Sequence, residues 1–208
     1  MATLLIDIGN TALKAAWADG VTLGKTFRYQ GERMVEYILS LVADNRPELM
    51  VLSSARRFST HHIQQLEASC ERLMVLDITA LSEKYDIPSY LTPDRAACVV
   101  ASRYLFKGRP CTVFDFGTTL TVDFLDADGH FKGGCISPGC RTRFKAINRY
   151  ARSLPLLSAP EDYSSMGNDI PSSIFSGVIS AISSRSVSPQ VTRRSRTATR
   201  FASTICRK

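Results

Sequence analysis

The sequence predicts an α/β fold that is built around two copies of one β meander. In residues 4–20 an apolar run ends in Asp7, a Gly-Asn turn follows, and an alternating run leads to an Ala-Asp-Gly turn. Residues 112–129 repeat this order, with Asp115 in the place of Asp7, 108 positions further along. Alternating apolar residues between glycine-bearing turns are typical of short antiparallel strands. A repeat of this kind indicates two related structural units in one chain.

The residues outside the meanders switch between helical and strand-like apolar spacing, which makes the layout α/β. Thr92 is placed as the N-cap of one helix, and Pro93 occupies its first position, where a missing N–H costs nothing. The predicted elements are a helix over 32–43, a strand over 49–53, a helix over 60–71, a strand over 73–77, a helix over 92–106, a loop over 133–139, and helices over 141–153 and 172–180.

The excess of basic residues lies at the end of the sequence. The formal net charge is +7, from 26 Lys and Arg against 19 Asp and Glu. Residues 181–208 contain seven of the basic residues and none of the acidic ones, which leaves 19 of each sign before them. That stretch also lacks apolar periodicity, so it cannot offset the entropy of ordering. We therefore predict a domain over 1–108, a partial second domain over 109–180 and a basic disordered tail over 181–208.

Composition favours an ordinary globular protein. Its hydrophobic content is 44%, its first residues carry no basic flank before a long apolar run, and no later run is long enough to span a bilayer. The basic strip over residues 141–152 is read as a solvated helix face rather than a nucleic-acid surface. We expect a cytoplasmic location, no membrane partner and no nucleic-acid partner.

Both meanders place an aspartate at a strand end, just before a turn that contains glycine. Such a turn can present backbone N–H groups and small polar side chains to a phosphate, and glycine allows close approach. A single Asp-x-Gly is more often a turn satisfied by its own side-chain hydrogen bond. Because the pattern occurs twice with matching strands, it favours two phosphate-binding loops. Their two carboxylates could organise cations during phosphoryl transfer.

Four motifs in this order and spacing resemble the motif set of type III pantothenate kinases over about residues 4 to 180. They are Asp7-Ile-Gly-Asn-Thr11 with Lys14, Asp94-Arg95, Asp115-Phe-Gly-Thr-Thr119 and Gly133-Gly-Cys-Ile-Ser-Pro-Gly139. The resemblance implies duplicated ribonuclease-H-like domains of the acetate kinase, sugar kinase, Hsp70 and actin superfold, with ATP in the cleft between them. It implies phosphorylation of pantothenate to 4′-phosphopantothenate, the first step of coenzyme A synthesis.

The resemblance also assigns the nucleotide and ion sites. It implies that ATP, with Mg²⁺, is bound by the first loop and by Thr118 of the second loop, and that Asp7 acts through the hydration shell of the metal. Asp115 would hold a monovalent cation, K⁺ or NH₄⁺. The first-loop residues so implied are Asp7, Gly9, Asn10, Thr11 and Lys14.

Asp94 matches the family's general base, which would accept the proton of the pantothenate hydroxyl as that oxygen attacks the γ-phosphate. The alternative for Asp94 alone is an acid in a first helical turn that complements the helix dipole. The pantothenate site implied by the resemblance comprises Tyr85, Thr92, Pro93, Asp94, Arg95 and the position of Ile170.

Two of these positions depart from the family pattern. Thr92 stands where the family has Gly, and Ile170 stands where the family has a Thr that contacts pantothenate. Asp169 and Ser172 are the side chains that could replace the missing hydroxyl at Ile170.

The helix, strand and Gly-Gly turn that follow residue 180 in the family are not recognisable here. The second domain is therefore expected to be incomplete, as truncation or a frameshift would leave it, which is expected to impair activity and the homodimer implied by the resemblance. Two other functions stay open at this point. One is a kinase or phosphohydrolase of the same superfold that acts on another small substrate. The other is a non-catalytic regulator that uses the basic tail on nucleic acid.

Overall fold

A computed structural model describes residues 2–183 and divides the chain into two compact units. Within the described residues, the first unit comprises residues 2–111 and Leu125–Lys132, and the second comprises Thr112–Phe124 and residues 133–183. The predicted disorder of the tail was wrong for residues 181–183, which belong to a helix and include the buried Ile182. Residues 184–208 lie outside the described residues, so their disorder stays a prediction, as do the predicted domain limits. No helix within residues 2–183 has both the length and the apolar character to cross a membrane.

The first unit contains a five-stranded sheet with the strand order β3-β2-β1-β4-β5. Strands β1 and β2 pair antiparallel, as do β2 and β3, which confirms the predicted N-terminal meander. Strands β4 and β5 extend the sheet in parallel on the other side of β1. The strands are β1 (Ala2–Ile8), β2 (Leu13–Asp19), β3 (Thr22–Tyr29), β4 (Leu49–Ser54) and β5 (Arg72–Val75).

Four helices accompany this sheet, and one of them was not predicted. The unpredicted helix, α3, has no fully buried residue, but Ile78, Leu81 and Tyr85 recur at helical spacing and are half-buried. Its N-cap is Asp77, whose side chain accepts a hydrogen bond from the N–H of Thr79 at 2.8 Å. The helices are α1 (Met34–Val42), α2 (Thr60–Ala68), α3 (Ile78–Tyr85) and α4 (Pro93–Leu105).

The core of the first unit is built on β1, whose alternate side chains enter it. Leu4, Ile6 and Ile8 are at most 3% exposed, whereas Asp7 is only half-buried. Since successive side chains of a strand point to opposite faces, burial of the apolar set puts Asp7 on the face away from that core. Trp17 of β2 packs partly buried against the same core.

The second unit contains a three-stranded sheet in chain order, β6-β7-β8, which agrees with the predicted second meander. Within residues 2–183, β6 pairs only with β7, whereas its counterpart β1 has a neighbour on each side. The strands are β6 (Cys111–Phe116), β7 (Thr119–Leu125) and β8 (Phe131–Pro138), and the helices are α5 (Cys140–Tyr150) and α6 (Ile170–Ser183). Leu120, Val122 and Phe144 lie in its core.

The prediction of a loop over residues 133–139 was wrong. Apart from Gly139, which is the N-cap of α5, these residues belong to β8, and its side chains alternate between half-buried and exposed positions. The consecutive glycines concealed this alternation, because glycine contributes no apolar side chain to the pattern.

Candidate active site

The first loop connects β1 to β2 directly after Asp7. The N–H of Gly9 donates to the carbonyl of Ala12 at 3.1 Å, which closes the turn through Asn10 and Thr11. The β1–β2 register places Lys14 opposite Asp7, and Lys14 Nζ lies 4.0 Å from Asp7 Oδ2. Both side chains are close to half exposed, so this pair adds little to stability. It leaves a carboxylate and an ammonium group at the surface of the loop.

Neither of the two loop glycines, Gly9 and Gly117, is required by its own backbone conformation. Neither has a positive φ. A Cβ added to Gly9 would meet the carbonyl oxygen of Ala12 at 3.7 Å, and one added to Gly117 would meet that of Thr119 at 3.6 Å, which are ordinary contacts. The chain would therefore tolerate alanine at both positions. A glycine at each one leaves room for another group to approach the backbone.

The second loop, between β6 and β7, is held in place by the start of α5. The N–H of Gly139 donates to the carbonyl of Thr118 at 2.9 Å, and Thr142 Oγ1 donates to the same carbonyl at 2.7 Å. The backbone of Gly139 packs closely against the loop: a Cβ added to Gly139 would lie 2.1 Å from the carbonyl oxygen of Gly117. The loop backbone is thus fixed, while Thr118 itself is exposed and Asp115 is half-buried.

Asp94 lies in the first turn of α4, after the predicted N-cap Thr92 and first residue Pro93, both of which the structure confirms. Among the described residues, Asp94 Oδ1 is a fully buried side-chain oxygen without a hydrogen-bond partner. Such an atom loses its hydration without compensation, which is unfavourable, and native buried polar atoms rarely go unpaired. An acid that only complements a helix dipole would be expected to stay hydrated. The structure therefore leaves this oxygen as an unsatisfied hydrogen-bond acceptor at the start of α4.

The other residues predicted for the pantothenate site lie in both units. Arg95 is 5% exposed, and the exposed Thr92 makes no side-chain cap hydrogen bond to α4. Tyr85 is the last residue of α3 and is half-buried, with Lys84 Nζ 5.3 Å from the centre of its ring. Ile170, the first residue of α6 in the second unit, is 55% exposed.

Asp169 and Ser172, the side chains considered as replacements for the hydroxyl missing at Ile170, are already hydrogen-bonded to each other. The N–H of Ser172 donates to Asp169 Oδ1 at 2.7 Å, and the N–H of Asp169 donates to Ser172 Oγ at 3.1 Å. The hydroxyl of Ser172 also donates to Asp169 Oδ1. These reciprocal bonds form a capping box at the start of α6. The hydroxyl of Ser172 and then its N–H lower the pKa of the Asp169 carboxyl.

We expect the contribution of Asp169 to stability to depend on pH. Because its folded-state pKa is lowered, the contribution is complete above the unfolded-state pKa and is lost as pH falls through the folded-state pKa. The thermal midpoint of Asp169→Asn should therefore be lower than that of the wild type at pH 7, and the difference should shrink toward pH 2. Thermal denaturation across this range measures it, with the exposed Asp162→Asn as control. A difference that is constant with pH would contradict the expectation.

Arg56 is a residue at the first loop that the sequence analysis missed. Its Nη2 donates to the carbonyl of Asn10 at 2.7 Å, and its own backbone is fixed by Ser54 Oγ in the segment after β4. The N–H of Ala55 donates to the carbonyl of Ile8 at 2.9 Å, which joins the same segment to the end of β1. The sequence of this segment, Ala55-Arg56-Arg57, does not indicate which group Arg56 contacts, so only the fold reveals the hydrogen bond.

Asp126, Asp128 and His130 form a group with metal-ligand atoms within 4.8 Å of one another. Asp126 Oδ1 already accepts the N–H groups of Asp128 and His130, at 3.1 and 2.8 Å, in the turn that joins β7 to β8. The hydrogen bond from the N–H of His130 is the main cause that lowers the pKa of this carboxyl. The arrangement is explained by the turn itself and assigns no metal.

Solved structures with a similar fold support the predicted fold class. A putative Baf family transcriptional activator from Campylobacter jejuni matches with a TM-score of 0.57 and 20% identity, over 86% of this chain and 75% of that one. The activator of 2-hydroxyisocaproyl-CoA dehydratase from Clostridium difficile, with bound ADPNP, matches with a TM-score of 0.51 and 14% identity, over 99% and 85%. These two likenesses show the fold alone, and with the two sheets they place the chain in the predicted α/β fold class.

A family model described as type III pantothenate kinase matches residues 3–190. The chain belongs to this family, and it is a kinase, as its sequence motifs predicted. The type III pantothenate kinase of Phocaeicola vulgatus is 35% identical in an alignment of 183 positions that covers 85% of this chain and 74% of that protein. Those of Azobacteroides pseudotrichonymphae and Flavobacterium psychrophilum are 32% and 30% identical, over 86% of this chain and 74% and 76% of theirs.

Proposed function

We propose that this chain transfers the γ-phosphoryl group of ATP to the primary hydroxyl of pantothenate, forming 4′-phosphopantothenate and ADP for coenzyme A synthesis. Family membership over residues 3–190 is the observation that carries the proposal. The buried, unpartnered Oδ1 of Asp94 supports it independently, because a substrate hydroxyl is a donor that such an oxygen lacks.

In the proposed reaction, Asp94 accepts the proton of the pantothenate hydroxyl. The hydroxyl oxygen forms a bond to the γ-phosphorus while the bond from that phosphorus to the bridging oxygen of ADP breaks, and ADP leaves with the electron pair. The transition state of such transfers is loose, so Asp94 contributes mainly by orienting the hydroxyl. Arg95, Thr92 and Pro93 surround the base at the start of α4 and are proposed to contact pantothenate, with Tyr85 and Ile170.

The first loop is proposed to bind the phosphates of ATP. Its glycine, Gly9, has no side chain to obstruct the backbone, Asn10 and Thr11 are exposed, and Lys14 supplies a positive charge. Thr118, exposed on the second loop, is proposed to contact ATP as well.

Asp7 and Asp115 are the proposed ion ligands. Mg²⁺, when bound, would neutralise charge on the β- and γ-phosphate oxygens, and the accessible carboxylate of Asp7 fits a hard cation that prefers oxygen and retains water. Asp115 occupies the equivalent strand-end position and is proposed to hold K⁺ or NH₄⁺. We also propose that the protein is a homodimer and is located in the cytoplasm, as expected from the sequence.

The experiment that tests the proposal is phosphopantothenate formation by the purified chain with ATP, Mg²⁺ and K⁺, detected by mass spectrometry. We expect product with K⁺ or NH₄⁺, and at least tenfold less with Na⁺ or after Asp115→Asn, a loss of about 1.4 kcal/mol in transition-state stabilisation. Sedimentation of the same sample measures the oligomeric state.

Two results would contradict parts of this proposal. Phosphorylation of another small alcohol in place of pantothenate would assign a different acceptor to the same superfold. Hydrolysis of ATP without any phosphorylated acceptor would make the chain a phosphohydrolase.

A further inference from the structure

Arg103 uses one side chain to reach three main-chain carbonyl groups. It lies in α4, and its Nε donates to the carbonyl of Gly129, its Nη1 to that of Tyr85 and its Nη2 to that of Asp86 at 3.2 Å. The last carbonyls of a helix have no partner inside that helix, and a guanidinium offers five donors in a fixed plane. Arg103 therefore ties the end of α3 to α4 and to the turn after β7.

The segment between Tyr85 and α4 is held at both ends by this arrangement. It leaves α3 at Asp86, which has φ 47° in the left-handed region, and it enters α4 at Thr92. In its middle, the ring of Tyr90 packs edge-to-face on Phe131, with ring centres 6.4 Å apart. All of these residues belong to the first unit. The position of Tyr85 therefore depends on side-chain contacts as well as on the local chain.

Asp94 and Arg103 lie on the same helix, nine positions apart, which corresponds to about 13 Å along the axis. An α-helix bends little over this distance, so the separation of Asp94 and Arg103 is fixed. The helix that carries the proposed base thus also carries the side chain that holds the backbone of Tyr85.

We propose that Arg103 is a positioning residue for pantothenate: it fixes Tyr85 relative to Asp94 by holding the C-terminal carbonyls of α3. This inference rests on the proposed function, since Tyr85 and Asp94 belong to a pantothenate site only under it. Arg103 does not touch the reacting atoms in this scheme. None of its three acceptors belongs to the loop of Asp7 and Lys14, so pantothenate binding should change while ATP binding does not.

The test is steady-state kinetics of Arg103→Met, which keeps the aliphatic stem and removes every donor. We expect the KM for pantothenate to rise about 10- to 100-fold, since a displacement of about 1 Å in a positioned group costs this much, and the KM for ATP to stay within about twofold. Lys107→Met is the matched control, because Lys107 carries the same charge as Arg103 and lines, together with Arg103 and Gly129, a cavity near the C-terminal end of α4. It should behave as the wild type.

Two further variants keep the inference falsifiable if Arg103→Met does not fold. Arg103→Lys retains the charge and some donors and should give an intermediate KM for pantothenate. Gly129→Ala leaves the guanidinium intact, but its Cβ would lie 2.9 Å from Arg103 Cγ at a φ of +82°, so it should also raise that KM.

The outcomes are distinguishable when each variant is first shown to be folded by its thermal midpoint. A folded variant of Arg103 with an unchanged KM for pantothenate overturns the inference, and so does an equal rise in both KM values. A wild-type chain that forms no phosphopantothenate overturns the proposed function, and the inference with it.

Discussion

Replacing Asp94 with Asn should lower the rate of phosphopantothenate formation by about 10²- to 10⁴-fold, the usual contribution of a positioned general base. The amide has nearly the same shape as the carboxylate but cannot accept the proton of the substrate hydroxyl. Since Oδ1 of Asp94 is buried without a hydrogen-bond partner, the change removes no observed intramolecular contact of that atom. The thermal midpoint should therefore stay the same or rise, which separates a loss of chemistry from a loss of folding. Single-turnover kinetics and thermal denaturation measure the two effects.

Glu83→Gln is a suitable control for Asp94→Asn, because it neutralises an exposed acid of the same unit. Its rate should equal that of the wild type. If Asp94→Asn retained full activity in the folded state, Asp94 would be reduced to an acid in a first helical turn and another residue would have to serve as the base.

Replacing Gly139 with Ala should destabilise the second unit by about 1–3 kcal/mol, the usual cost of forcing an extra methyl group into a packed site. The new Cβ would lie 2.1 Å from the carbonyl oxygen of Gly117, so the second loop or the start of α5 must move. Movement would break the hydrogen bond from the N–H of Gly139 to the carbonyl of Thr118. Denaturant unfolding measures the stability, and titration with an ATP analogue should show weaker binding.

Gly177→Ala is the matched control, with the same chemical change in the same unit. Gly177 is exposed inside α6, has no atom within 4 Å of an added Cβ, and gains helix propensity as alanine. It should stabilise the unit by up to about 1 kcal/mol. If both variants shifted the unfolding transition in the same direction, the close contact at Gly139 would not be the cause.

Much of the fold could be predicted because hydrophobic alternation determines it. The apolar run before Asp7 and the alternating run after the turn form β1 and β2 as predicted, and the repeated Asp-x-Gly pattern identified the second sheet. Helix α3 was not predicted, although Asp77 as its N-cap and the helical spacing of Ile78, Leu81 and Tyr85 are visible in the sequence. Strand β8 was not predicted, because its two glycines interrupt the alternation of apolar and polar side chains.

Candidate site residues could be proposed from the sequence only where the chemistry is concentrated in short motifs. Asp94 was identified by its motif, but its buried oxygen without a partner is a property of the packed structure. The hydrogen bond of Arg56 joins residues 46 positions apart, and two of those of Arg103 join residues 26 and 18 positions apart. Contacts between residues so far apart cannot be predicted from a single sequence. The same holds for Gly139, whose need for glycine depends on a loop that lies more than 20 residues earlier.

Trp17 is the single tryptophan of the chain, and it packs on the core of the first unit. Excitation of tryptophan therefore reports the state of that unit alone, while far-ultraviolet circular dichroism reports helices and strands of both. Coincident transitions by the two probes would indicate that the protein unfolds as one cooperative body, and separate transitions would give each unit its own stability. The fluorescence of Trp17 can thus show whether the two units unfold together or with separate stabilities.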